Sequence, residues 1–143
     1  MGSPLGPLFA NFYMSNLENK VLPEWNDKPK VYCRYVDDIF LAVDSESQIL
    51  SLKTKFENNS VLKFTYEIEK DSKLNFLDVQ MTRTTTGLNT SVYIKETNNG
   101  SCLNFNSVCP DKYKKGVVTN FLHRAFLICN SWPLFHQEVS RIQ

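Results

Sequence analysis

The sequence predicts an α+β fold, with helices packed mainly on one face of an antiparallel sheet and a C-terminal helix following. Runs rich in Val, Ile, Tyr and Phe are broken by turn residues, residues 62–69 alternate apolar with polar, and separate segments carry apolar residues at helical spacing. The chain has 143 residues and is 42% hydrophobic. That suffices for one modest domain with a core and is too little for two full ones.

Gly2, Ser3, Pro4, Gly6 and Pro7 make a turn-rich opening in which a proline falls in the first turn of a helix. The helix is expected over 8–21, with Phe9, Phe12, Tyr13, Leu17 and Val21 as its apolar stripe and Asn11, Ser15, Glu18 and Asn19 facing elsewhere. Pro23 stops it. Two β-prone runs within 31–43, one on each side of Asp37 and Asp38, read as a β-hairpin. Ser45 opens a short amphipathic helix carried by Ile49, Leu52 and Phe56, and Asn58 and Asn59 end it. A half-buried strand is expected over 62–69, a second over 74–82 and a third over 90–95, joined as a meander by turns at 70–73 and at Thr86-Gly87. Residues 97–110 are rich in Asn, Ser and Gly and predict a surface loop. A helix follows over 111–131, with Trp132-Pro133 expected to break it.

Composition excludes little. With 16 basic and 15 acidic residues the net charge is +1, so any basic surface must be local. Cys33, Cys102, Cys109 and Cys129 lack a close pair, and His123 and His136 complete no zinc spacing, so the cysteines read as reduced thiols. No run is long and apolar enough to span a bilayer, no secretory signal is visible, and an intracellular protein with no membrane partner is expected.

Asp37 and Asp38 carry the most chemistry. Like charges about 5 Å apart repel by roughly 3 kcal/mol at an effective dielectric near 20. Water can offset this at a solvated turn, and so can a divalent cation, because Mg²⁺ takes carboxylate and phosphate oxygens.

Tyr35-Val36-Asp37-Asp38 resembles the catalytic hairpin of reverse transcriptases, and Gly2-Ser3-Pro4-Leu5-Gly6-Pro7-Leu8 resembles the turn and helix that precede it there. With Lys63-Phe-Thr-Tyr-Glu-Ile-Glu69, Lys73-Leu-Asn-Phe-Leu-Asp-Val79, Leu103-Asn-Phe-Asn-Ser107 and His123-Arg-Ala125, the chain resembles the reverse transcriptases of Penelope-like retroelements over nearly its whole length. The resemblance implies a partial palm over 1–96 and a connecting loop with the beginning of a thumb over 97–143. It implies template-directed nucleotidyl transfer by two metal ions, with Asp37 and Asp38 as catalytic and metal-binding carboxylates and Mg²⁺ or Mn²⁺ as cofactor.

Gly2, Ser3 and Pro4 would then shape the floor under the incoming nucleotide, and Tyr35 and Val36 would lie near the primer terminus or pack within the strand. Phe76 and Leu77 would form a primer grip or belong to the palm core. Lys70 or Lys73 could protonate the leaving pyrophosphate or stand solvated. Lys112, Lys114, Lys115 and Arg124, with His123, would follow the phosphates of an RNA or DNA template with its primer, or form a solvated basic face. Deoxynucleotide triphosphates would be substrates, and a nuclear location is implied.

The upstream catalytic aspartate and the fingers of that family have no counterpart in the chain, so it is expected to be inactive alone. Two other expectations are a non-catalytic nucleic-acid-binding remnant and an interaction module that recruits a chain partner at an exposed sheet edge.

Overall fold

Pro7 has no backbone N–H to lose, so the first helix can begin beside it. Helix α1 runs over Gly6–Val21 with proline in its first turn. The computed structural model describes residues 5–99 and 102–142, and the chain divides into two compact units, Met1–Glu67 and Ile68–Gln143. Gly2, Ser3 and Pro4, expected at the nucleotide floor, lie outside the described residues.

The fold is α+β, as the residue pattern predicts, with two small antiparallel sheets in place of one. In the first unit β1 (Val31–Tyr35) and β2 (Asp38–Ala42) pair in a hairpin whose last pair, Tyr35 and Asp38, flanks a two-residue turn. Helix α2 (Glu46–Asn58) follows Ser45, where the Gln48 side-chain oxygen accepts from the Ser45 backbone N–H at 3.1 Å, the closing half of a capping box.

The core of this unit is Met14, Leu17, Val21, Trp25, Leu52 and Phe56, with Tyr32, Ile39, Leu41 and Phe64 packed against it. The α1 stripe therefore differs from the expected one. Phe9, Phe12 and Tyr13 are exposed, whereas Ser15 and Glu18 are half-buried. Polar partners on β1 decide that face, and apolar spacing alone could not show them.

Residues 62–69 form no strand and do not alternate in burial: Phe64 is half-buried, whereas Leu62, Tyr66 and Ile68 are exposed. Phe64 stacks on Phe56 with ring centroids 5.2 Å apart, the Lys53 ammonium lies 5.7 Å from the centre of the Tyr66 ring, and the Tyr66 hydroxyl donates to Glu46 at 2.8 Å. Phe64 and Tyr66 thus find their contacts on α2 without a strand ladder.

In the second unit β3 (Lys73–Phe76), β4 (Val79–Thr84) and β5 (Gly87–Val92) form a meander. The single strand expected over 74–82 is split by a turn at Leu77 and Asp78, because Leu77 adopts a left-handed φ of 53°. Helix α3 (Asp111–Ile128) is followed by α4 (Trp132–Ile142). Trp132-Pro133 starts a helix where a break with nothing after it was expected, since proline is tolerated in a first turn and only forbidden further in.

Candidate nucleic-acid interface and the Asp37-Asp38 turn

Three residues, Cys129, Asn130 and Ser131, separate α3 from α4, and β5 holds them in place. The Asn130 side-chain amide donates to the Leu88 carbonyl at 2.7 Å and its oxygen accepts from the Thr90 backbone N–H at 3.1 Å. The Thr90 hydroxyl donates to the last helical carbonyl, that of Ile128, at 2.7 Å. Carbonyls left open at a helix end need such donors. Burial pushes the Cys129 thiol above its ordinary range, which keeps it protonated.

The inward face of α3 carries Val117, Phe121, Ala125 and Ile128, of which Ala125 is fully buried. Leu134, Phe135, Val139 and Ile142 are the half-buried apolar positions of α4. Phe126, Trp132, Phe135 and His136 form a chain of tilted and edge-to-face ring contacts with centroids 5.6–6.2 Å apart.

The cations of α3 separate into two groups. Lys114 pairs with Asp111 at 3.7 Å and lies over the Phe105 ring, and Arg124 pairs with Asp78 at 3.0 Å and reaches the Tyr93 carbonyl at 3.4 Å. Lys112 and Lys115 lie together with Gly116, Thr119, Asn120 and His123 around one open groove. The Lys112 ammonium lies 5.1 Å from the centre of the Tyr113 ring and the Thr119 hydroxyl donates to the Lys115 carbonyl at 3.0 Å, whereas Lys115, Asn120 and His123 have no side-chain hydrogen bond among the described residues and are open to an anion.

In the first unit, the Asp37-Asp38 turn is built around a half-buried arginine, Arg34, to which composition and spacing assign no role. Arg34 on β1 spends all five guanidinium N–H groups. Its Nε donates to Glu18 Oε1 at 2.6 Å and its Nη2 to Glu18 Oε2 at 3.1 Å and Ser15 at 3.2 Å. Its Nη1 donates to Asn11 at 2.9 Å and to the Val36 carbonyl at 2.7 Å. Hydrogen bonding to Glu18 raises the Arg34 pKa further. The Tyr32 hydroxyl donates to Glu18 at 2.6 Å, and burial, followed by that bond, holds the phenol well above its ordinary range. Asn11, Ser15 and Glu18 recur every three or four residues, and this polar stripe on an otherwise apolar helix was the available signal.

The network fixes a strained turn. Val36 has φ 57°, a conformation that a β-branched residue avoids. It also sets Asp37 and Asp38 outward, both exposed, with Tyr35 exposed beside them. Phe76 is half-buried in β3, Leu77 is exposed at its turn, and Lys70 and Lys73 bridge across Asp71-Ser72. Among the described residues no three His, Cys, Asp or Glu side chains gather where they could hold a metal ion. Two exposed carboxylates by themselves do not fit the two-metal centre implied for them.

A family model described as the animal helix-turn-helix domain matches residues 101–143. This overturns the expected assignment of the chain to the reverse transcriptases of Penelope-like retroelements, which made that segment a loop and the start of a thumb. No curated protein and no solved structure matches the chain. No helix among the described residues is long and apolar enough to cross a membrane.

Proposed function

We propose that the chain is a nucleic-acid-binding protein whose contacts are made by the helix pair α3–α4. The observation that carries this is the coincidence of the helix-turn-helix match with two helices whose connecting turn is pinned by Asn130 and Thr90, one helix presenting Lys112, Lys115 and His123, all exposed, around one open groove. A net charge of +1 makes such a local face necessary, since bulk electrostatics attract no polyanion. A nuclear location belongs to the same proposal.

The test is titration of the full chain with labelled duplex DNA, duplex RNA and an RNA–DNA hybrid at several salt concentrations. Binding that weakens linearly in log affinity against log salt supports the reading. No binding to any of them removes it and favours an interaction module that captures a chain partner at a sheet edge.

A second reading keeps the chemistry expected at Asp37 and Asp38, nucleotidyl transfer on a primed RNA or DNA template with deoxynucleotide triphosphates and Mg²⁺ or Mn²⁺. The left-handed Val36 favours it, since strained turns persist only where the surroundings hold them and cluster at functional sites. The donor set requires a further carboxylate from elsewhere, so the purified chain alone is expected to give no primer extension with either ion. Extension by the chain alone would show the set to be complete.

A further inference from the structure

From the uncharged apolar side that α1 turns outward we infer that the first unit carries a self-association surface, on which the α1 helices of two copies of this chain pack antiparallel. The inference concerns the other unit of the chain and is independent of the nucleic-acid-binding reading.

Leu5, at the N-cap, and Leu8, Phe9, Phe12 and Tyr13 fall at spacings of three and four, so they share one side of the helix. Each of them is between 45% and 65% exposed. The remaining sides of α1 are engaged. Met14, Leu17 and Val21 lie in the core, and Asn11, Ser15 and Glu18 hold Arg34 on β1. Rotating α1 to bury Phe9 and Phe12 would carry those three polar residues away from the guanidinium and leave a half-buried carboxylate without its cation. The network that holds the Asp37-Asp38 turn therefore also holds the aromatic side of α1 outward.

The chemistry of that side selects what covers it. No charged side chain precedes Glu18 in the chain, so the surface offers nothing to a polyanion. A helix that lies on a membrane surface carries lysine and arginine along its polar side, whereas α1 has Lys20 in its last turn and no arginine. A neutral apolar surface meets its own copy without repulsion, and two-fold pairing requires a self-complementary patch of this kind. A two-fold axis passing between Phe9 and Phe12 sets Phe9 against Phe12 of the second copy and Leu8 against its Tyr13, so large side chains face large ones along the seam. With aromatic side chains offering roughly 150–250 Å² each, these five residues at their exposures present about 500 Å², and two copies about 1,000 Å², the area at which a specific interface begins. A contiguous apolar patch of that size marks an interaction site.

Sedimentation of the full chain over about 1 to 100 μM is the test, with a monomer–dimer equilibrium expected for the wild type. Phe9→Glu and Phe12→Lys should each weaken dimerisation by roughly tenfold or more, because each sets a charge against a phenylalanine of the other copy. An equimolar mixture of the two variants should restore the dimer, since antiparallel pairing brings the new carboxylate of one onto the new ammonium of the other. Phe9→Gln with Phe12→Gln adds no charge and should weaken dimerisation as much. In a Trp132→Phe background the emission of Trp25, which is buried in the core of the first unit, reports that each variant is folded. A wild-type chain that stays monomeric throughout overturns the inference. A dimer indifferent to all of these changes overturns it as well by placing the contact elsewhere, and a mixture that fails to restore the dimer overturns the antiparallel pairing.

Discussion

Each unit of the chain fastens a helix to a sheet through one arginine, and the two arginines are used unequally. Arg34 spends all five donors on Asn11, Ser15, Glu18 and the Val36 carbonyl, and its side chain is 12% exposed against 14% for Glu18. Arg124 reaches Asp78 and the Tyr93 carbonyl through one nitrogen, leaves its Nε without a partner among the described residues, and faces a carboxylate that is 68% exposed. The apolar cores differ in the same direction. Six residues form the buried cluster of the first unit, whereas among the described residues of the second Ala125 alone is a buried hydrophobic. The first unit is built to hold a turn rigidly, and the second keeps its helix pair in place mainly with polar pins to a sheet edge.

The largest test of that difference is core truncation read unit by unit. Each unit holds one tryptophan, Trp25 and Trp132, so urea unfolding in a Trp132→Phe background reports the first unit and in a Trp25→Phe background the second. Phe56→Ala should cost the first unit about 4 kcal/mol, the usual range for a buried aromatic. Phe121→Ala on half-buried α3 should cost the second unit about half as much. Equal losses would mean that the two cores are equivalent.

The arginines come next. Arg34→Met leaves the Glu18 carboxylate enclosed without its cation and should cost about 3 kcal/mol. Arg124→Met should cost about 1 kcal/mol or less, since Asp78 returns to water. Tyr32→Phe adds a pH signature. The folded phenol titrates above its ordinary value of 10.0, so its contribution is complete below that pH and is lost as the pH climbs beyond it. Alkaline unfolding of the first unit should therefore be shallower in Tyr32→Phe, and an unchanged limb would place the alkaline sensitivity elsewhere. At the polar pins, Asn130→Ala should cost about 1 kcal/mol and speed hydrogen exchange at the Thr90 amide, because that amide loses its acceptor.

The sequence made some of this legible and hid the rest for physical reasons. The first hairpin, α2 and the start of α3 follow from local signals: β-prone runs around a two-residue turn, Ser45 before an amphipathic segment, and apolar spacing after Pro110. Residues 62–69 alternate as a strand does, but alternation records which side chains find contacts, and Phe64 and Tyr66 find them on α2. The Leu77-Asp78 turn was invisible because nothing in a leucine signals a left-handed backbone. On α3, the lysines were legible as a group, but their division into Lys112 and Lys115 on one side and Lys114 with Arg124 on the other depends on Asp111, Phe105 and Asp78. Arg34 could be found only from the Asn11, Ser15 and Glu18 stripe, which spacing marks as polar without saying what it meets.

The smallest expected effect separates the two hairpin turns. Tyr35-Val36-Asp37-Asp38 and Phe76-Leu77-Asp78-Val79 both close a hairpin with an aliphatic residue in the left-handed region, at φ 57° and 53°. Glycine at either position removes a strain on the order of 1–3 kcal/mol and adds back roughly 0.5–1 kcal/mol of backbone entropy. Val36 is β-branched and half-buried, so Val36→Gly trades more strain against more lost packing, and Leu77→Gly trades less of each because Leu77 is exposed. Both should therefore be stabilising by no more than about 1 kcal/mol. Hydrogen exchange distinguishes them. With the Val36 carbonyl still held by Arg34, the β1–β2 amides should keep their protection in Val36→Gly, whereas the β3–β4 turn is tied one residue past the substituted position, at Asp78, by a largely exposed ion pair with Arg124 and by the Tyr93 backbone N–H, and should exchange faster in Leu77→Gly despite the relieved strain. Equal loss of protection in both would mean that Arg34 fixes the helix to the strand without fixing the turn that carries Asp37 and Asp38.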